Sequence, residues 1–197
     1  LWTEKHDFEP DLKIPPLAVF DILHTRSYVS SCYVRGRMEA FKEELERFLG
    51  TKITDNAIAQ AIEICNENRR LLKRVAELRR SDPSLISGVE ALQIIGSSFF
   101  MPKEEHNRLL ADFLKTSRDL PARDGARLYV SGSILDNTQF YELVESCNAV
   151  VVSEDISTGN RYSDNLVDTA IDPLDALTER YHTNSHEGRM PTIDHLV

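Results

Sequence analysis

The sequence predicts an α/β fold in which a helical segment, residues 35–124, leads into part of a parallel-sheet domain, residues 125–197, behind a connector at 1–34 that carries a possible strand. Three observations predict it. Apolar residues recur at helical spacing from about Arg35 onward. The stretch Arg127–Tyr162 then reads as strand, helix, strand. Finally, each strand runs out into a short polar loop: Ser131-Gly132-Ser133 with Asp136 after the first, and Glu154-Asp155-Ile156-Ser157-Thr158-Gly159-Asn160-Arg161 after the second. If the two strands are parallel, both loops emerge beyond their carboxyl ends, where open α/β sheets place ligands.

Each element has its own signal. Leu17-Ala18-Val19-Phe20 is an apolar run that fits a short strand or an ordered connector. Met38, Phe41, Leu45 and Phe48 form one helical stripe closed by Gly50. Thr54 opens a long helix with Ile58, Ile62, Cys65, Leu72 and Val75 inward and Pro83 beyond its end, so the two helices are expected to pair antiparallel. On the long helix, Asn66-Glu67-Asn68-Arg69-Arg70 reads as a solvated face. Ser87-Gly88-Val89-Glu90 has the spacing of a capping box, and Pro102 with Glu104 and Glu105 suits the start of a further helix. Asp136 and Gln139 are spaced like a second box, Asn160–Thr169 reads as a helix capped by Ser157-Thr158-Gly159, and Asp172-Pro173 starts another with Leu174, Leu177 and Tyr181. Residues 192–197 look like the start of a last helix. Two parallel strands are too few for a stable sheet, so Leu17–Phe20 or strands outside this sequence must complete it.

Composition narrows the function. A chain of 197 residues holds one large domain or two small ones, and 41% hydrophobic residues suffice for a core. The net charge of -9 without a basic run argues against nucleic acid as a partner. No apolar stretch approaches the roughly 20 residues that span a bilayer, which argues against a membrane protein. Leu1–His6 lacks a signal-peptide pattern, and without an initiator Met the sequence reads as processed or as part of a longer protein. Cys32, Cys65 and Cys147 show no CxxC spacing, which disfavours a disulfide framework or a self-contained zinc site and suits a reducing, cytoplasmic setting.

The candidate chemistry gathers at the two strand ends. Glu154 and Asp155 fit ribose hydroxyls, a metal or loop amides, or else a solvated loop. Ser157, Thr158 and Gly159 supply two hydroxyls and a hinge before a helix start, where amides bind anions, or else simply cap that helix. His6, His24, His106, His182, His186 and His195 show no convincing metal spacing, and GxSxG, GxGxxG and GxxxxGK[ST] are all absent.

Several of these pieces, in this order, resemble one family. Thr51–Asp55, Asn66–Leu72, Ile86–Ala91, Ser131–Asp136, Val150–Asp155 leading into Thr158–Tyr162, Asp172–Leu174 and Glu179–Tyr181 are similar to segments of the 2-hydroxyacyl-CoA dehydratase and benzoyl-CoA reductase subunits. The resemblance spans about 35–182. It implies flavodoxin-like α/β domains with helical insertions, a homologous partner subunit, a CoA-thioester substrate, iron–sulfur clusters, and an ATP-dependent activator protein that delivers a low-potential electron. That electron makes a ketyl-type radical from the thioester, followed by loss of water or reduction of an aromatic ring. Ser157 and Thr158 become the catalytic candidates, with Ser131, Gly132, Ser133, Asp136, Asp155, Gly159 and Arg161 lining the substrate or cluster loop and Arg161 available to a CoA phosphate or to an acidic loop.

One departure stands out. In many family members a cysteine that ligates the cluster occupies the position that is Ser157 here. A hydroxyl is a far weaker ligand for cluster iron than a thiolate. Cys147 precedes the second strand and Ser157 follows it, roughly 20 Å away at about 3.3 Å per residue. A [4Fe–4S] cluster is therefore expected in a complete complex but not from this chain alone. Ser157 instead suits a hydrogen bond to a substrate carbonyl or a water. The chain then corresponds to part of a subunit with ligands elsewhere, to a subunit that positions the thioester for its partner, or to a non-catalytic relative.

Overall fold

The computed structural model describes residues 18–23, 25 and 27–183; Leu17, the expected helix at 192–197 and the histidines at 6, 24, 186 and 195 lie outside them. Ala18–Phe20 forms no strand, and Phe20 instead packs its ring 5.3 Å from that of Phe41. The first helix, α1 (Tyr28–Leu49), begins well before Arg35 because Ser27 caps it, its hydroxyl accepting from the Ser30 amide. Gly50 ends it in the left-handed region, φ 66°. Thr54 caps α2 (Asp55–Arg80) through the Ala57 amide, and the guanidinium of Arg127 closes the far end by donating to the carbonyls of Arg80 and Ser81.

The expected α1–α2 antiparallel pair does not form. The long partner of α2 is α4 (Lys103–Thr116), and α1 packs on α6 (Pro173–Thr178) and the π-helical turn Glu179–Thr183 that follows it. The reason is visible in burial. Val34 and Met38 cover Leu174, whereas Phe48 is 66% exposed, so only the first half of the α1 stripe has anything to cover. Between α2 and α4 comes α3 (Gly88–Ser97), whose capping box is complete: Ser87 accepts from the Glu90 amide and Glu90 accepts from the Ser87 amide. Leu71, Leu72, Val75, Ile86, Ala91, Ile95, Leu110 and Leu114 form the core of this helical part.

The sheet has two parallel strands among the described residues, β1 (Ala126–Ser131) and β2 (Ala149–Asp155), joined by α5 (Gln139–Ser146). The expected box on α5 is absent, since Asp136 accepts from the Asn137 amide group and Asn137 takes the Gln139 backbone N–H. Leu92, Tyr141, Val151 and Ile156 form a second core where α3 and α5 cover β2. By contrast β1 is open, with Leu128 and Tyr129 more than a third exposed. The molecule is thus a mixed α/β protein with a partial parallel sheet, as the sequence predicts. No helix among the described residues is long and apolar enough to cross a membrane.

The segment read as a solvated face is instead buried: Asn66, Asn68 and Arg69 are each 3% exposed or less. The Asn66 carboxamide donates to the Val167 carbonyl at 2.7 Å and accepts from its amide at 2.9 Å, fixing the chain after the sheet against α2. Asn68 donates to His106 Nδ1, and His106 Nε2 lies 3.1 Å from the Ile94 carbonyl, which accepts from the Nε2–H tautomer. Burial, together with nearby Lys103, pushes the His106 pKa below its ordinary value.

Two outcomes follow for the complete polypeptide. Asn66→Ala leaves two buried backbone groups without partners and is expected to lower unfolding free energy by about 2–4 kcal/mol in urea titrations. Neutral His106 is the folded form, so the unfolded state binds the extra proton first and stability falls as pH drops from 6.5 toward the lowered folded value. His106→Gln is expected to flatten that part of a stability–pH curve.

Candidate functional site

The register of the sheet places the site. Residues pair from Ala126 with Ala149 to Ser131 with Asp155, with a one-residue irregularity after Leu128. Both strands therefore end together, and Glu154 and Asp155 belong to β2 rather than to the loop beyond it. The two loops also touch: Thr158 Oγ1 donates to the Leu135 carbonyl at 3.0 Å. Ser131, Gly132, Ser133 and Asp136 form the exposed lip, and Ser157 and Thr158 sit half-buried opposite. The Ser157 hydroxyl has no intramolecular partner among the described residues.

No helix follows Ser157-Thr158-Gly159. Asn160–Tyr162 is a single 3-10 turn, so these residues do not cap a helix start and no helical anion site exists there. Competing tertiary bonds explain the loss. Asn160 is drawn to Arg79, Arg161 to Asp155, and the Tyr162 ring packs edge-on to Phe99 at 4.9 Å. Arg161 Nη2 donates to Asp155 Oδ2 at 2.9 Å and its Nε donates to Oδ1, so Arg161 holds the acidic strand end. The hydrogen bond to Asp155 raises the Arg161 pKa.

Behind the rim lies a buried polar network. Glu154 is 3% exposed, and its Oε2 accepts from Arg79 Nη1 at 2.5 Å and from the Tyr141 hydroxyl at 2.9 Å. Arg79 Nη2 donates to Asn160 Oδ1 at 3.1 Å, and Asn160 Nδ2 donates to Ser153 Oγ at 3.2 Å. Burial first, then the charge of Glu154, raises the Tyr141 pKa, which keeps the phenol protonated as a donor. Gly159 is required by close approach: a Cβ there would lie 2.5 Å from Glu154 Oε1 and 2.7 Å from Ile156 Cγ1. The loop that carries Ser157 and Thr158 is thus clamped from behind by Glu154 and Asn160.

The network was missed in the sequence, yet its signal was there. The inward stripe Ile58, Ile62, Cys65, Leu72, Val75 has a gap at Arg69, and its next step is Arg79. Helical period alone assigns both arginines to the inside.

The residues present do not by themselves fit an iron–sulfur cluster. No three His, Cys, Asp or Glu side chains converge among the described residues. Cys32 and Cys147 are exposed and Cys65 is half-buried, and Cys147 ends α5 at the edge opposite Ser157. Ser157 offers a hydroxyl where iron prefers thiolate.

Strand-end loops facing each other across a parallel pair, backed by a helical insertion, define an α/β protein with a site at the carboxyl rim of its sheet. The chain belongs to the family described as 2-hydroxyglutaryl-CoA dehydratase, D-component, which matches residues 8–197. It is 30% identical over 157 residues to a benzoyl-CoA reductase subunit of Thauera aromatica, covering 78% of this chain and 41% of that protein. Similarity extends to the (R)-phenyllactyl-CoA dehydratase beta subunit of Clostridium sporogenes, 31% identical over 142 residues, covering 71% of this chain and 38% of that one. The lactoyl-CoA dehydratase subunit beta of Anaerotignum propionicum is 26% identical over 125 residues, covering 62% and 33%. The chain therefore spans well under half the length of these relatives.

Removing the acid from the network should cost more than removing its hydroxyl donor. Glu154→Ala leaves Arg79 buried without a counter-charge and is expected to destabilise by about 3–5 kcal/mol. Tyr141→Phe is expected to cost only about 1–2 kcal/mol, because Arg79 still satisfies the carboxylate. Urea unfolding of both variants checks the order.

Proposed function

We propose that this chain forms part of an enzyme subunit that removes water from a 2-hydroxyacyl-CoA thioester, working in the cytoplasm with a homologous partner subunit and an ATP-dependent activator. Membership of the family supports the reaction class, and three of the relatives are named as dehydratase subunits. The single observation that carries the site is the half-buried Ser157 hydroxyl, without a partner among the described residues and presented on a loop clamped by Glu154 and Asn160. In this reading Ser157 donates to the thioester carbonyl oxygen, where charge develops, and a preorganised donor of that kind acts most strongly in a water-poor site. Thr158 already donates to Leu135, so it positions the loop and offers only its oxygen as an acceptor. A [4Fe–4S] cluster bound elsewhere in the complete complex would supply the electron.

A second reading, reduction of an aromatic CoA thioester, has its own support. The similarity to the Thauera aromatica reductase subunit covers 78% of this chain, more than the 71% and 62% covered by the Clostridium sporogenes and Anaerotignum propionicum dehydratase subunits. A third, a non-catalytic relative, is favoured by a serine at the family's cluster-ligand position.

Anaerobic co-purification of the complete polypeptide with its partner separates the three. The proposal expects a brown, iron-containing complex that dehydrates 2-hydroxyacyl-CoA when the activator and ATP are added. Ser157→Ala is expected to lower kcat about 100-fold, the scale for loss of one oxyanion donor, with iron content unchanged. Turnover of benzoyl-CoA instead supports the reductase, and a colourless, inactive complex supports the third reading.

A further inference from the structure

The buried charges of this chain do not balance. Among the described residues, the buried arginines and acids are Arg69, Arg79, Arg180 and Glu154. Glu154 pairs with Arg79. Arg69, 3% exposed, and Arg180, 8% exposed, have no carboxylate within ion-pair distance among the described residues. Buried charges are normally paired, because an isolated ion loses its hydration without return.

The two guanidiniums meet at one side chain. Arg69 Nη2 donates to the Tyr181 hydroxyl at 2.9 Å, and the Arg180 guanidinium lies 5.2 Å from the centre of the Tyr181 ring. Arg180 Nε donates to the Asn165 carbonyl at 2.9 Å, a neutral acceptor that leaves its charge uncompensated. Arg69 Nη1 donates to Asn66, but its Nε is buried with no partner among the described residues. A third cation closes the group: Lys103 Nζ lies 4.9 Å from the centre of the Tyr162 ring, and Arg69 lies 5.8 Å from the same ring. Burial and the charge of Arg69 both push the Arg180 pKa down, while Asp164 offsets this only in part from beyond ion-pair distance. Tyr181 itself is 43% exposed, so the cluster has a wall on the surface.

We infer that Arg69, Arg180 and Lys103 form an oxyanion site that accepts a phosphoryl group between Tyr162 and Tyr181. Two guanidinium forks match phosphate oxygens, and Lys adds a point charge. Three cations suit a dianion better than the single charge of a carboxylate. The phosphoryl group has two sources, free phosphate or the phosphates of a coenzyme A ligand. Only the second rests on the function proposed above.

The test uses the complete polypeptide with its partner subunit. Inorganic phosphate and free coenzyme A are titrated separately at constant ionic strength, read by calorimetry and by thermal shift. Saturable binding is expected, and Arg180→Gln and Lys103→Gln are each expected to weaken it about tenfold or more, the scale of a charge-assisted hydrogen bond. Arg108→Gln, on the exposed face of α4, leaves it unchanged. Arg69→Gln joins the set if it folds, and the other two variants carry the test if it does not. Coenzyme A binding that is tighter than phosphate and weakened in Arg180→Gln assigns the cofactor as the source. Phosphate binding without coenzyme A binding supports the site while removing support from the thioester reading. A folded wild type that binds neither, or variants that bind like wild type, overturns the inference.

Discussion

The buried ion pair between Arg79 and Glu154 is the contact on which the rest of the arrangement depends. Arg79 stands in the last turn of α2 and Glu154 is the penultimate residue of β2, so the pair joins the helical segment to the carboxyl end of the sheet. The same guanidinium reaches Asn160, and so the loop between the two acceptors is set by one side chain. Such pairs add little net stability when intact, because desolvation cancels most of the attraction. Their value lies in direction: only one placement of the loop satisfies both carboxylate and guanidinium. Gly159 belongs to the same constraint, since any side chain there would displace Glu154.

More broadly, α2 acts as a polar spine. Asn66 fixes the backbone at Val167, Arg69 reaches Tyr181, and Arg79 reaches Glu154 and Asn160. Each contact ties α2 to a different piece of the chain after β1. Apolar packing supplies the bulk of the core through Leu71, Leu72 and Val75, but it is non-directional. Hydrogen bonds from the inward polar positions supply the register. They explain why the segment after β2 wraps the helix instead of forming one of its own.

Much of this was legible in the sequence, and the failures have physical causes. Local signals were reliable wherever the bonding was local: Ser87 with Glu90, Thr54 at the start of α2, Gly50 at the end of α1. The strand–helix–strand reading and the shared edge of its loops also hold, because parallel register follows from the crossover. Long-range bonding is what the sequence concealed. A helix over Asn160–Thr169 and a solvated Asn66–Arg70 face were reasonable on composition, yet Arg79 and Val167 claim those residues from far along the chain. The antiparallel α1–α2 pair failed for a similar reason, as α6 returns to cover Val34 and Met38. The vacant stripe position at Arg69 was the one available hint.

Whether the sheet rim is where chemistry happens is settled most directly by a crystal structure of the complete polypeptide, bound to its partner subunit and to a non-reactive CoA thioester. The account predicts the thioester carbonyl oxygen within hydrogen-bonding distance of the Ser157 hydroxyl, with Glu154 still held by Arg79 behind it. An acyl group bound away from that rim, with Ser157 facing only solvent or protein, would contradict it.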